Sequence, residues 1–252
     1  MALVGLENKL AIVTGAAQNI GRAIALELAR AGANVVIADI QSAKTRKVAR
    51  DIERLKRLAL AIEVDIRDQR QVNRMVALAS ERLGRIDILV NNAAIVGIRT
   101  PIDTLDQEQW DTFQAVCLRG AFFSSQAVIP FMRRQGKGKI INVSSAAFWV
   151  GAADCSAYIS AKGGLIGLTR GLARELGQYN INVNAITPGA VKTPQESRVA
   201  KQKEIDLIVT SQCLRRRVLP LDIAKAVIFL ASDLSDAITG QTINVDAGWA
   251  MH

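Results

Sequence analysis

A short apolar run, Leu10 to Val13, leads directly into Thr14-Gly15-Ala16-Ala17-Gln18-Asn19-Ile20-Gly21, and a helix-patterned stretch follows to about Gly32. A strand, a tight glycine turn and a helix start in that order commit the region to a βαβ unit. The glycines let the backbone approach a pyrophosphate, and N–H groups at the helix start hold its charge. Asp39 closes the next apolar run, Val35-Val36-Ile37-Ala38, where a carboxylate that hydrogen-bonds an adenosine ribose is expected. The pattern points to a dinucleotide site.

Further apolar runs follow at Leu60–Val64, Ile86–Val90, Lys139–Val143, Ile181–Ile186 and Thr242–Val245, each separated by a segment of helical period. Near-continuous Val- and Ile-rich runs suit parallel strands covered on both faces. The expectation is an α/β fold: one Rossmann-like, doubly wound parallel sheet of about seven strands, with helices on both faces. No linker, repeat or low-complexity tract divides the 252 residues, so a single domain over 1–252 is expected. Ligands of such sheets bind beyond the carboxyl ends of the strands. Thr14, Asp39, Asp65, Asn91-Asn92, Ser144-Ser145 and Thr187-Pro188-Gly189 stand at those ends.

Composition narrows the chemistry. The three cysteines, Cys117, Cys155 and Cys213, fit neither a disulfide framework nor a metal site, and the one histidine is His252. Zinc chemistry and a Ser-His-Asp triad are therefore not expected, and no metal is assigned. The net charge of +9 reads as solvated helix faces, since Arg46, Arg50, Arg54 and Arg57 recur at helical spacing without a nucleic-acid motif. Arg215-Arg216-Arg217 is the exception, as consecutive residues cannot share a helix face. No stretch reads as long and apolar enough to span a bilayer, and Glu7 and Lys9 do not suit a signal peptide. A cytoplasmic enzyme with no membrane or nucleic-acid partner is the expectation.

Tyr158-Ile159-Ser160-Ala161-Lys162 opens a helical pattern that runs toward Tyr179. A spacing of four puts phenol and ammonium on one helix face. The positive charge favours the phenolate, which lowers the tyrosine pKa toward a value useful for proton transfer. Ser145, at the end of a strand upstream, strengthens that reading.

Together these pieces resemble the short-chain dehydrogenase/reductase family, from about residue 5 to the C-terminus. The matching motifs are Thr14-Gly15…Gly21, Asp65, Asn91-Asn92-Ala93, Ser145, Tyr158…Lys162, Pro188-Gly189…Thr193 and Ile238-Thr239-Gly240-Gln241. The resemblance implies that Tyr158 is the general acid/base, that Ser145 polarises the substrate oxygen, and that Lys162 holds the nicotinamide ribose and lowers the tyrosine pKa. It places the cofactor against Gly15, Gln18, Asn19, Ile20 and Gly21, with Asp39 and Ile40 at the adenosine ribose. Asp65 and Ile66 would border the adenine, Asn92 and Ala93 the ribose region, and Pro188, Gly189, Val191 and Thr193 the carboxamide. Substrate would meet Ser145, Ala147, Cys155 and Tyr158. It also implies a homo-oligomer, a tetramer, for which the apolar Gly248-Trp249-Ala250-Met251 would be buried against a neighbour.

Three residues depart from the family pattern. Asn19 replaces a glycine, and asparagine tolerates left-handed backbone better than most residues. Ala94 replaces the glycine after Asn-Asn-Ala. Cys117 takes the place of an asparagine that helps order a water relay behind the lysine, and a thiol cannot replace an amide. Without a histidine to serve as its base, Cys117 is not expected to be a nucleophile. Gln18 and Ile40 occupy positions where NADP users commonly carry a basic residue, and Asp39 would repel a 2′-phosphate; NAD is expected. Ile95, Val96, Ala147, Phe148, Trp149 and Cys155 would form an apolar near wall, with a mixed lid at about 192–217 carrying Lys201, Lys203 and Arg215 to Arg217. The leading expectation is an NAD-dependent dehydrogenase of a hydrophobic or aryl secondary alcohol, working equally as a ketone reductase. A 3-oxoacyl-carrier-protein reductase is the alternative, with the basic surface as its docking site, and a non-catalytic dinucleotide-binding regulator is the remote one.

Overall fold

A computed structural model of the chain describes residues 5–96, 98–194 and 202–251. Seven parallel strands form one sheet: β1 (Leu10–Thr14), β2 (Asn34–Asp39), β3 (Ala59–Glu63), β4 (Ile88–Asn91), β5 (Gly138–Val143), β6 (Ile181–Pro188) and β7 (Thr242–Val245). Their order is β3-β2-β1-β4-β5-β6-β7, so the winding reverses between β1 and β4. That reversal opens the crevice in which such sheets bind ligands. The expected apolar runs all became strands, with two small shifts. Ile86 and Asp87 precede β4, and Val64 follows β3.

Strand alternation explains the two cores. Ala11, Val13, Val35, Ile37, Ile88 and Val90 face one layer, built on α1 (Asn19–Arg30), α2 (Ser42–Glu53) and α9 (Pro220–Ala231). Leu10, Ile12, Val36, Ala38, Leu89 and Ile140 face the other, built on α3 (Gln69–Leu83), α5 (Gly120–Gln135) and α7 (Ser156–Leu176). Successive side chains of a strand point to opposite faces, so a continuous apolar run feeds both layers. Each fully buried Val, Leu or Ile contributes roughly 1.5–3 kcal/mol relative to leaving it in water. The helices are punctuated by local chemistry. Asp68 caps α3 by accepting from the Arg70 and Gln71 N–H groups, and Gly84, at φ 80°, ends it.

α4 (Gln107–Gln114) joins α5 through a π-helical segment, Ala115–Arg119. The combined run Gln107–Gln135 is, by length and composition, apolar enough to cross a membrane, contrary to the expectation that no stretch would be. Here Phe113, Cys117, Ala121, Val128 and Met132 are buried, and the run packs against α3 and α7 as a core-flanking helix does. On α2, Arg46 and Arg50 are exposed as expected, whereas Arg57 lies beyond the helix end.

Candidate active site

The glycine turn between β1 and α1 is held from below by the end of β4. Thr14 Oγ1 accepts from the N–H groups of Asn92 and Ala93, at 3.1 and 3.2 Å. The Asn92 amide donates to the carbonyls of Thr14 and Gly15, at 3.0 and 3.1 Å. A Cβ at Gly15 would stand 2.7 Å from Ala93 Cα, and one at Gly21 would overlap the Gly15 carbonyl oxygen. Both glycines are thus required by close approach, and the turn forms the shallow backbone cradle a pyrophosphate needs. Asn19 takes φ 49°, the left-handed conformation that its side chain tolerates and that a glycine would otherwise supply.

Asp39, buried at the tip of β2, fastens this turn to the next loop. Its carboxylate accepts from the Ala17 N–H at 3.1 Å and from the Gln41 N–H at 3.0 Å. Ile40 is exposed beside it. Gln18 makes no side-chain cap on α1; its amide oxygen instead accepts from the Lys44 ammonium at 2.8 Å. Lys44, brought in by the first turn of α2, escaped the sequence reading because only the folded loop makes it a neighbour of Gln18.

Two adenine-side positions gain partners that the sequence did not show. Asp65 is gripped by Arg67, whose Nε lies 3.0 and 2.9 Å from the two carboxylate oxygens, and this pairing holds the carboxyl below its usual range. Ile66 is buried, packing against Gly120 at the start of α5. Asn92 likewise spends its amide on the glycine turn, so it acts as scaffold to the cofactor side. On the carboxamide side, Pro188 accepts from the Ala146 N–H at 2.9 Å, and Val191 forms a bridge with Val218. Gly189 is fixed by the C-terminal hook: a Cβ there would lie 2.8 Å from Asp246 Cβ. Asp246 holds that hook by accepting from the N–H groups of Gly248 and Ala250, at 2.9 and 2.8 Å. In this chain Trp249 is part-buried and Met251 is exposed. Thr193 is part-buried close by.

The proton-handling residues converge from β5 and α7. Ser144 donates to the Lys162 carbonyl at 2.7 Å, docking the helix on the strand end. Ser145 Oγ accepts from the Ala147 N–H at 3.1 Å, on the strand end that faces Tyr158. Burial pushes the Tyr158 phenol well above its ordinary pKa, the neighbouring Ser145 hydroxyl pulls it down, and the Cys117 and Cys155 thiols push it up again. Lys162 is 2% exposed and donates to the Val143 carbonyl at 2.6 Å. Burial lowers its pKa, and its Nζ stands 5.8 Å from the Tyr158 ring centroid. The expected lowering of the tyrosine pKa by the lysine is therefore outweighed here by desolvation of the phenol.

Cys117 lies in the π-helical segment, buried with Phe113, Ala157 and Ala161 beneath Tyr158. A π-bulge re-aims the residues of a helix at a functional site. The Gly163-Gly164 pair allows the close fit on α7: a Cβ at Gly164 would stand 2.7 Å from Leu118 Cδ2, and one at Gly163 2.6 Å from Phe148 Cε2. Neither glycine was singled out from the sequence. Phe148, on the short helix α6 (Ala147–Val150) and expected in the near wall, lays its ring on Gly163 and meets Trp149 edge-on at 4.8 Å, so it packs against α7. Cys155 and Tyr158 share a small void with Ile98, Leu105 and Phe113. A much wider open groove, about 760 Å³, lies away from Tyr158, between Asp65, Arg67, Glu108, Asp111 and Arg119. Of the expected lid, Gln195 to Lys201 fall outside the described residues; Lys203 is exposed on α8 (Gln202–Ser211), and Arg216 pairs with Asp222.

A crossover-wound sheet with a glycine-turn cradle and a Ser-Tyr-Lys cluster at its carboxyl edge defines a dinucleotide-fold oxidoreductase. Residues 15–250 match the family model described as enoyl-(acyl carrier protein) reductase. The chain is 35% identical to the 3-oxoacyl-[acyl-carrier-protein] reductase FabG of Thermotoga maritima, over 96% of this chain and 98% of that one. It is 37% identical to the (2S)-[(R)-hydroxy(phenyl)methyl]succinyl-CoA dehydrogenase subunit BbsD of Thauera aromatica, over 97% and 98%. A crystal structure from Sinorhizobium meliloti 1021, provisionally classed as a short-chain alcohol dehydrogenase, superposes with a TM-score of 0.91 at 35% identity, covering 98% of this chain and 99% of that one. The chain belongs to the short-chain dehydrogenase/reductase family.

Proposed function

We propose that the protein interconverts a secondary alcohol and its ketone with NAD(H), on a substrate whose body is hydrophobic or aryl. The observation that carries this is the gathering of Ser145, Tyr158 and Lys162 at the end of β5: Lys162 donates to the Val143 carbonyl, and Tyr158 stands one helical turn before it on α7. The glycine turn at the carboxyl end of β1, tied to β4 by the Asn92 amide and leading into the N-terminus of α1, supports a dinucleotide there. Gly15, Gln18 to Gly21, Asp39, Ile40, Asp65, Ile66, Asn92, Ala93, Tyr158, Lys162, Pro188, Gly189, Val191 and Thr193 are its proposed surroundings. Bound there, the nicotinamide supplies or accepts the hydride. Ser145 orients and polarises the substrate oxygen, because its Oγ already accepts from Ala147 and keeps its proton free to donate. Tyr158 gives that oxygen its proton during reduction and takes it back during oxidation. Lys162 holds a buried positive charge beside the phenol. Ala147 and Cys155 are proposed to border the substrate.

Asp39 supports NAD over NADP, since a 2′-phosphate would meet a buried carboxylate. Lys44 works in the opposite direction from outside the turn, at greater exposure. BbsD, whose name describes a hydroxy(phenyl)methyl compound, supports an aryl alcohol. FabG similarity favours a second reading, a 3-oxoacyl-carrier-protein reductase. We also propose a homotetramer, supported by Trp110 and Phe122 exposed on the long helix, and a cytoplasmic setting, supported by the three free thiols. The test is hydride transfer by the purified protein with NADH and NADPH side by side, across aryl ketones, aliphatic ketones and a 3-oxoacyl thioester. Turnover confined to the thioester would give the second reading the site; no turnover with any of them would remove both.

A further inference from the structure

Arg99 lies on the segment that leaves β4. Its guanidinium reaches Glu204 on α8 through a single 3.5 Å contact, the two side chains being 51% and 41% exposed. The Thr100 N–H donates to the Asp154 carbonyl at 2.8 Å, which pins this segment to the residues just before α7. Ile98 and Thr100, on either side of Arg99, line the same small void as Cys155 and Tyr158. The positive charge of Arg99 acts on the Cys155 thiol. The guanidinium therefore sits on an exposed segment whose flanking residues reach the void beside Tyr158, and it is tied there to α8 by Glu204. Arg216, by contrast, is bound by two contacts to Asp222, at 2.8 and 3.1 Å.

We propose that the substrate carries a carboxylate remote from its reacting carbon, and that Arg99 receives it in exchange for Glu204. Arg99 then selects hydroxy and oxo acids over neutral alcohols and ketones. The inference rests on the alcohol–ketone reading above and adds the substrate class. Arginine suits the task, because its planar fork binds a carboxylate through two parallel N–H donors. The existing pair offers only one long contact, so a two-point ligand outcompetes it. The exposed apolar side chains of Val96 and Ile98, on the same segment, meet the body of the molecule, and the charge stays at the wet rim.

The test compares cyclohexanecarboxylate with cyclohexanecarboxamide, titrated calorimetrically into the full chain with and without NADH. The acid is expected to bind at least about tenfold tighter than the amide. Arg99→Leu should bring the ratio to near one, and Arg99→Lys should keep part of it. Glu204→Gln is the discriminating variant. It removes the competitor and should tighten the acid several-fold, whereas a pair that merely braces the fold would loosen it. Equal affinities in the native chain, a ratio that survives Arg99→Leu, or binding of neither compound would overturn the inference. Turnover of neutral secondary alcohols, measured in parallel, carries the alcohol–ketone reading separately. A chain that oxidises them while binding acid and amide alike keeps that function and loses this substrate class.

Discussion

The Lys162 ammonium donates to the Val143 carbonyl, 2.6 Å away, at the end of the same strand that presents Ser145. One strand end thus sets both the serine and the lysine, and α7 carries the tyrosine between them. Ser144 closes the arrangement by bonding the Lys162 carbonyl. The geometry is fixed by backbone contacts, so single side-chain changes in the cluster should alter chemistry before they alter the fold.

Tyr158→Phe is the first such change. It removes only the hydroxyl, and the edge-on contact with Phe113, at 6.2 Å between centroids, survives. Turnover should fall by about 10²–10⁴, the usual contribution of a positioned acid/base. NADH affinity and melting temperature should stay close to native. A purified variant with near-normal kcat would remove Tyr158 from its role.

The pH profile follows from the same residue. Alcohol oxidation needs the phenolate, and burial raises the Tyr158 pKa, so kcat for oxidation should climb with pH into the alkaline range. Ketone reduction needs the phenol and should stay level through neutrality. Ser145→Ala removes the one contact that pulls the pKa down, so the oxidation limb should move to higher pH as its rate falls. Profiles of kcat in both directions check this, and a limb that moves to lower pH contradicts it.

Cofactor preference should turn on Asp39. Asp39→Ser with Ile40→Arg removes the repulsive carboxylate and adds a phosphate partner, and Lys44 already stands beside Gln18. The ratio of kcat/KM for NADPH to that for NADH should rise at least tenfold. Asp39 also fastens Ala17 and Gln41, so some loss of melting temperature should accompany the switch. Native steady-state kinetics that already favour NADPH would contradict the role given to Asp39.

Much of this was legible in the sequence for physical reasons. Strands buried on both faces are largely apolar, so β1 and β2 announced themselves, and β5 and β6 did so despite buried Lys139, Asn142 and Asn184. A glycine turn needs glycine or a residue that tolerates positive φ, which made Asn19 readable as an acceptable substitute. What could not be read depends on long-range neighbours. Arg67 seizing Asp65, Lys44 meeting Gln18, and Gly164 admitting Leu118 have no periodic signature. The tyrosine pKa illustrates the same limit. Spacing showed a nearby charge, but the degree of burial, which decides the sign of the shift, exists only in the fold.

The glycine turn itself offers a test of the cradle. Gly21→Ala places a methyl group against the Gly15 carbonyl and the Asn92 amide, in a turn whose hydrogen bonds cannot give way independently. NADH affinity should fall at least tenfold, while Tyr158 and Ser145, on other elements, stay in place. Fluorescence titration of NADH checks this, and native affinity in a folded Gly21→Ala protein would place the cofactor elsewhere.

Cys117 separates packing from chemistry. Its thiol is 1% exposed, among Phe113, Ala157 and Ala161, with no histidine among the described residues to act as a base. Cys117→Ser should therefore keep turnover within a few-fold of native, with a modest loss of stability from burying a hydroxyl. Cys117→Asn restores the family residue but adds bulk to a closed apolar site, so it should lose roughly 1–3 kcal/mol of stability from overpacking. Thiol reagents should react slowly with the folded protein at this position, and protection by substrate should be weak. If instead Cys117→Ser, folded and binding NADH normally, loses on the order of a hundredfold in kcat, the thiol has a chemical task. The proton route through Tyr158 would then have to be redrawn to include it.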